Sequence, residues 1–153
     1  MYTLGYSEDE TFSRSDIAKI QLVKAIELFI TEQFIPSITL AGAAEEIFGK
    51  LLYRQGQNPI LEKSYEEIQR IREATNRQDI LGAKNKKETI EAWNKARNNL
   101  KHHGHTDEEF VVFNGCDEAY WIIKRALDNA SRLGVKVPNK SEFENWVVIN
   151  INM

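Results

Sequence analysis

Cysteine is nearly missing from this 153-residue chain: Cys116 is the single thiol. One thiol forms no disulfide framework and no cysteine-built metal site, which suits a reducing compartment. No apolar run approaches the roughly 20 residues that a membrane-spanning helix needs. The opening MYTLGYSEDE has neither a basic head nor an apolar stretch, so no secretory signal and a cytoplasmic location are expected. Internal repeats and low-complexity tracts are also lacking. Neither sign of charge dominates, and a net charge of −3 does not by itself mark a nucleic-acid binder. The length fits one domain, residues 1–153, with enough chain for a real core.

What is present is helical periodicity. Ser13, Ser15 and Asp16 offer N-caps for a first helix, followed by Ile17, Ile20, Val23, Ile26, Leu28 and Phe29 to about Gln33. Pro36 suits the first turn of a second helix. Leu40, Ala44, Ile47, Phe48, Leu51 and Leu52 mark its apolar side and Gly56 its end. Gly42 and Gly49, seven apart, nearly superpose on that helix, with Glu45 and Glu46 three and four residues after Gly42. Interior glycine costs a helix about 1 kcal/mol relative to alanine, so the pair predicts close packing there. Leu61, Tyr65, Ile68 and Ile71 give a third helix to about Asn76, with Glu66, Glu67, Arg70 and Arg72 on its wet sides. Ala119, Ile122, Ile123 and Ala126 give another, stopped by Gly134. Ser141 and Glu144 predict a capping box for a last short helix through Trp146 and Val147, after which VVININ reads equally as a strand. Phe110 to Phe113, β-branched and aromatic, is expected to be extended. The fold class expected is all-α: an up-and-down bundle of five to six helices with a short extended segment near 108–114.

The stretch from Lys86 to Gly104, KKETIEAWNKARNNLKHHG, stands apart. Ile90, Trp93, Ala96 and Leu100 form one helical stripe from about Lys87 to His103, and Gly104 sits where a left-handed stop belongs. Lys84 to His103 holds six Lys and Arg against Glu88 and Glu91, a local balance of +4. A basic patch on an acidic body matters more for phosphate binding than the total charge does. A solvated face of mixed Lys and Glu is the plainer reading of the same run.

Chemistry gathers at the end of this helix. Histidine can take and give a proton near neutral pH, and arginine can grip two phosphate oxygens at once. Arg97 and His102, with Asn98 to orient a water, a hydroxyl or the imidazole, suffice for metal-independent cleavage of RNA. Arg97 and His102 are five apart, about 500° around an ideal helix, so they do not share a face, whereas Asn98 and His102 do. Convergence therefore requires the helix to loosen near Lys101 or two chains to bring their helix ends together. Cations in a last turn also serve the helix dipole and its free carbonyls, which is the structural alternative. A rival chemical reading is a divalent metal held by His102, His103, His105 and Asp107. Glu45 and Glu46, adjacent on a helix, point apart, and one of them is the expected ion-pair partner of Arg97.

At these residues the chain resembles the HEPN superfamily of small helical bundles. ARNNLKHHG matches that family's signature, an Arg followed by a polar residue and, after four to six residues, a His. Arg97 precedes Asn98, His102 follows after four residues and His103 after five. LAGAAEEIFGKLLYRQG resembles the earlier family helix, where small residues and a Glu precede a Lys and a Leu pair. The resemblance implies an antiparallel homodimer with Arg/His pockets facing one cleft. It further implies a metal-independent endoribonuclease of toxin–antitoxin, defence or RNA-processing type, with no cofactor. Other members pair with a nucleotidyltransferase or act only as binding modules. Carried over, Arg97 and His102 are catalytic and Asn98 helps, with His103, Glu46 and Lys101 in support. His103 and His105 leave open which imidazole acts. The insert from His105 to Gly115 departs from a minimal bundle and alters access to the cleft.

Overall fold

In a computed structural model of the chain, residues 4–77, 85–101 and 108–151 are described. They form seven α-helices: α1 (Arg14–Ile30), α2 (Phe34–Arg54), α3 (Ile60–Thr75), α4 (Lys86–Trp93), α5 (Lys95–Lys101), α6 (Gly115–Arg132) and α7 (Lys140–Asn150). No strand occurs among the described residues, so the all-α expectation holds at that level. No helix among them is long and apolar enough to cross a membrane.

The ends follow local chemistry. Ser13 Oγ accepts from the Asp16 N–H at 3.0 Å and caps α1, and Asn114 Oδ1 accepts from the Asp117 N–H at 3.0 Å and caps α6. Gly56 and Gly134 take the left-handed φ values, 72° and 73°, that stop α2 and α6. Pro36 lies in the first turn of α2, where its missing N–H costs nothing.

The helix expected over Lys87–His103 is divided at Asn94, so the helix number exceeds five to six. Asn94 is buried and turned inward, where its Oδ1 accepts from Arg125 Nη2 at 3.3 Å. The end of that expected helix, from His102 to Gly104, lies outside the described residues, as does the chain around Leu81 and Gly82.

Helix α2 is central and packs against α1, α6 and α5. Its core face is Ser37, Ile38, Ala41, Ala44, Phe48 and Leu52. On α1 the buried stripe is Ala18, Leu22, Ala25, Ile26 and Phe29, rotated from the one expected, and Ile20 faces solvent. Small residues on both helices let the backbones approach, and Ser37 Oγ donates to the Ala25 carbonyl at 2.7 Å across the seam. On α6 the buried stripe contains Ala119, Ile122, Ile123 and Ala126, as the periodicity predicts.

Four further expectations meet a different outcome. The Ser141–Glu144 capping box does not form: Asn139 is the N-cap, and its Nδ2 donates instead to the Val23 carbonyl at 3.0 Å. The tail through Asn150 is helix rather than strand, because Phe143 and Val147, four apart, are the buried pair. Arg72 is buried rather than wet, and its Nη1 donates to Gln69 Oε1 at 2.8 Å. The segment Phe110–Phe113 carries no regular structure; only Phe113 packs on the core, while Phe110 and Val112 are 81% and 100% exposed.

Asn129 ties three helices together. Its Oδ1 accepts from the Ile60 N–H at 2.9 Å, at the start of α3, and its Nδ2 donates to the Glu45 carbonyl at 3.5 Å. Replacing Asn129 by Ala strands the part-buried Ile60 N–H and is expected to cost roughly 1–3 kcal/mol, read as a lower urea midpoint at unchanged slope.

Candidate functional site

The cluster that holds Arg97 begins with a gap in α2. Gly42 is buried, and a Cβ built on it would collide with Arg97 Cδ and lie 2.8 Å from Arg97 Cγ. The missing side chain is therefore a notch for the arginine stem. Glu45 stands three residues on, nearly one turn along the same face, so the guanidinium at the end of that stem arrives beside its carboxylate. Arg97 Nη1 lies 3.9 Å from Glu45 Oε2, an ion pair beyond hydrogen-bond distance.

Arg125 of α6 holds that carboxylate more tightly. Its Nε donates to Glu45 Oε1 at 2.9 Å and its Nη2 to Oε2 at 3.3 Å, a forked pairing. Glu45 is 4% exposed, and the side chains of Arg97 and Arg125 are 13% and 14% exposed. Two guanidinium charges thus share one buried carboxylate, and the triad carries a net +1. The buried Arg97 Nε finds no acceptor among the described residues. Buried donors are almost always paired, so an unpaired one beside an excess positive charge suits an incoming anion.

Glu46 points away from Arg97's closest contacts, because adjacent residues on a helix diverge by about 100°. It forms an outer layer at the surface: Lys50 Nζ donates to Glu46 Oε1 at 3.0 Å, and Lys101 Nζ lies 4.0 Å from Oε2. The Lys50 hydrogen bond holds the Glu46 carboxyl below the usual carboxylate range against an upward push from burial; the charges of Lys50, Arg97 and Lys101 add to the lowering.

Of the residues singled out in the sequence, Arg97, Lys101 and Glu46 are brought to this corner. Asn98 is exposed on α5. His102, His103, His105 and Asp107 lie outside the described residues. Arg125 and Asn94 were not foreseen. One signal for them was available: Glu45 falls in register with Ala41, Phe48 and Leu52 on the buried side of α2, and a carboxylate there demands a cation.

The fold and site define an all-helical protein with a buried Arg–Glu–Arg triad. No protein-family model matches the chain, and comparison with curated proteins and with solved structures finds no significant match.

Proposed function

We propose that the protein is a HEPN-like, metal-independent endoribonuclease of the toxin–antitoxin or defence type, acting in the cytoplasm as a homodimer. One observation carries this reading: Arg97 is fixed in place by the Gly42 notch, yet the carboxylate beside it is already engaged by Arg125. The guanidinium is held, but its charge is only partly answered, which suits a phosphate oxygen. His102 follows the last residue of α5 in sequence. In the proposed reaction a ribose 2′-oxygen attacks the adjacent phosphorus and loses its proton to a base. The 5′-oxygen then leaves and takes a proton, giving a 2′,3′-cyclic phosphate. His102 would serve in one of these proton transfers, and Arg97 would stabilise the charge that builds on the phosphorane oxygens. Glu45 and Arg125 would position Arg97.

The test is RNA cleavage by the purified protein in the presence of a chelator. Arg97→Ala is expected to lower the rate by about 10²-fold or more. His102→Ala is expected to lower it by about 10²- to 10⁴-fold. Equal cleavage by all three proteins, or none by the unsubstituted chain, removes the reading. Gly42→Ala makes a finer point. The added methyl displaces the Arg97 stem, and a displacement near 1 Å costs on the order of 10²-fold in rate. Helix propensity gains up to about 1 kcal/mol from the same change, offsetting part of the overpacking. A large loss of cleavage with a melting temperature within about 5 °C of the unsubstituted protein is the expected result.

A second reading has its own support. Phe110, Val111 and Val112, together with Val148 and Ile149 of α7, leave apolar side chains in solvent. Such residues suit a non-catalytic helical module that docks a nucleotidyltransferase, an antitoxin or another protein. A stable complex that survives both Arg97→Ala and His102→Ala, with no cleavage, would favour it.

A further inference from the structure

A second feature lies on the far side of Arg125. A cavity of about 530 Å³ opens between α3, α4 and α6. Its apolar wall includes Ile60 and Leu61 of α3, and its aromatic walls are Trp93 of α4 and Trp121 of α6. The volume is within the range of small-molecule sites, about 300–1,000 Å³. Trp121 is 57% exposed, large for an indole on a helix that has a full apolar stripe elsewhere. Among the described residues the two indoles make no ring contact with each other; Trp121 touches Tyr120 edge-on at 4.9 Å.

The polar groups are ordered along α6. Glu118, Trp121, Arg125 and Asp128 fall at spacings of three, four and three, so they share one face of the helix. Lys124 joins them at the lining. No hydrogen bond or ion pair engages the Glu118 carboxylate or the Lys124 ammonium among the described residues. Burial pushes the Glu118 carboxyl upward; the charge of Arg125 opposes that and the charge of Asp117 adds to it. A free carboxylate in a partly dry, aromatic site is short of donors. Six residues separate Glu118 from Lys124, a rise of about 9 Å. Trp121 stands midway between them along the helix axis.

We infer that this cavity binds a nucleobase of single-stranded RNA, with Trp121 and Trp93 as stacking surfaces, Glu118 as acceptor for the base edge and Lys124 beside the phosphate. Aromatic platforms beside a basic surface are how proteins hold single strands, and stacking contributes about 1–3 kcal/mol per base. The basic surface here is α5, where Lys95 and Lys101 are exposed and no acid stands on the same helix; on α4 Lys86 and Lys87 are balanced by Glu88 and Glu91. A carboxylate accepts only, at two oxygens. Guanine alone among the four bases offers two adjacent donors, its ring N–H and its amino group, so guanine is the preferred occupant. The inference rests on the reading of the protein as one that acts on RNA. Arg125 joins the two features, since it lines the cavity and holds the carboxylate that faces Arg97.

The experiment is isothermal titration calorimetry of the full chain with guanosine, adenosine, cytidine and uridine 5′-monophosphates, and with agmatine as a cationic control. Saturable binding of the guanosine nucleotide, at least fivefold tighter than the other three, is expected. Trp121→Ala, at an exposed position, should weaken all four nucleotides by about tenfold. Glu118→Gln should abolish the guanosine preference while leaving stacking in place. Absence of saturable nucleotide binding, binding of agmatine instead, or affinities unmoved by Trp121→Ala would each overturn the assignment. The two proposals separate cleanly. Nucleotide binding that depends on Trp121 and Glu118, without any RNA cleavage, sinks the nuclease and keeps the base site. Cleavage that depends on Arg97 and His102 but is indifferent to Trp121→Ala and Glu118→Gln, with no nucleotide bound, does the reverse.

Discussion

Glu45→Ala is expected to destabilise the protein by about 3–5 kcal/mol, seen as a fall in melting temperature of roughly 6–20 °C. The reason is not the strength of one ion pair. Glu45 is the buried carboxylate between Arg97 and Arg125, and it accepts both forked hydrogen bonds from Arg125. Removing it leaves two cations facing each other with little access to water. Arg125 retains only Asn94 Oδ1 as a side-chain acceptor in this cluster. Neighbouring Glu46 supplies the control. Its side chain is 44% exposed, and its partners Lys50 and Lys101 reach solvent. Surface pairs are worth about 0–1 kcal/mol, so Glu46→Ala should move the melting temperature by no more than about 4 °C. Thermal melts followed by circular dichroism, run side by side, decide it; equal shifts for the two variants would mean that the triad is not buried as described. The loss at Glu45 should also grow when anions are scarce. Phosphate placed against Arg97 would answer part of the stranded charge, so added phosphate should recover some of the melting temperature.

Phe29→Ala is expected to cost about 3–5 kcal/mol, read as a lower urea midpoint with unchanged slope. Phe29 is fully buried at the last turn of α1, where three elements meet. Its ring lies edge-on to Phe34 at 5.5 Å, to Phe143 at 5.1 Å and to Trp146 at 4.8 Å. Such pairs add about 0.5–1.5 kcal/mol beyond the area they bury. Truncation to alanine therefore removes the transfer energy of the ring, opens a void and loosens the seat of α7 at once. Phe29→Leu keeps most of the volume and should be milder. Phe110→Ala, which removes an exposed ring, should lie within about 0.5 kcal/mol of the unsubstituted protein. A midpoint for Phe29→Ala no lower than that of Phe110→Ala would contradict the packing at this junction.

How much of this was legible in the chain varies by element. On α6 the stripe of Ala119, Ile122, Ile123 and Ala126 is strongly periodic, and caps stand at both ends in Asn114 and Gly134, so local signals agree with the packing. On α1 the larger residues Ile17, Ile20 and Val23 drew the expectation to the wrong side. The buried face runs through Ala18, Leu22, Ala25, Ile26 and Phe29, and its two alanines let α2 come close. A hydropathy stripe ranks alanine below isoleucine; a tight helix pair reverses that ranking. Asn94 reads as one polar residue in a continuous helix, and only the arrival of Arg125 from α6 makes it a dividing point. The Gly42 notch was legible as a close approach, but not which residue enters it.

Local chemistry determined the helical class of the chain, most helix ends and the basic stretch from Lys84 to His103. These depend on neighbours three or four residues apart, and a chain carries that information along its length. Tertiary structure alone decided that Glu45, rather than Glu46, answers Arg97, that Arg125 shares the same carboxylate, and that Trp93 and Trp121 line one cavity. Each of these joins residues about 30 to 80 positions apart. Their contact depends on how α2, α4, α5 and α6 cross, and helix crossing is set by the shape of whole packed faces rather than by any single residue.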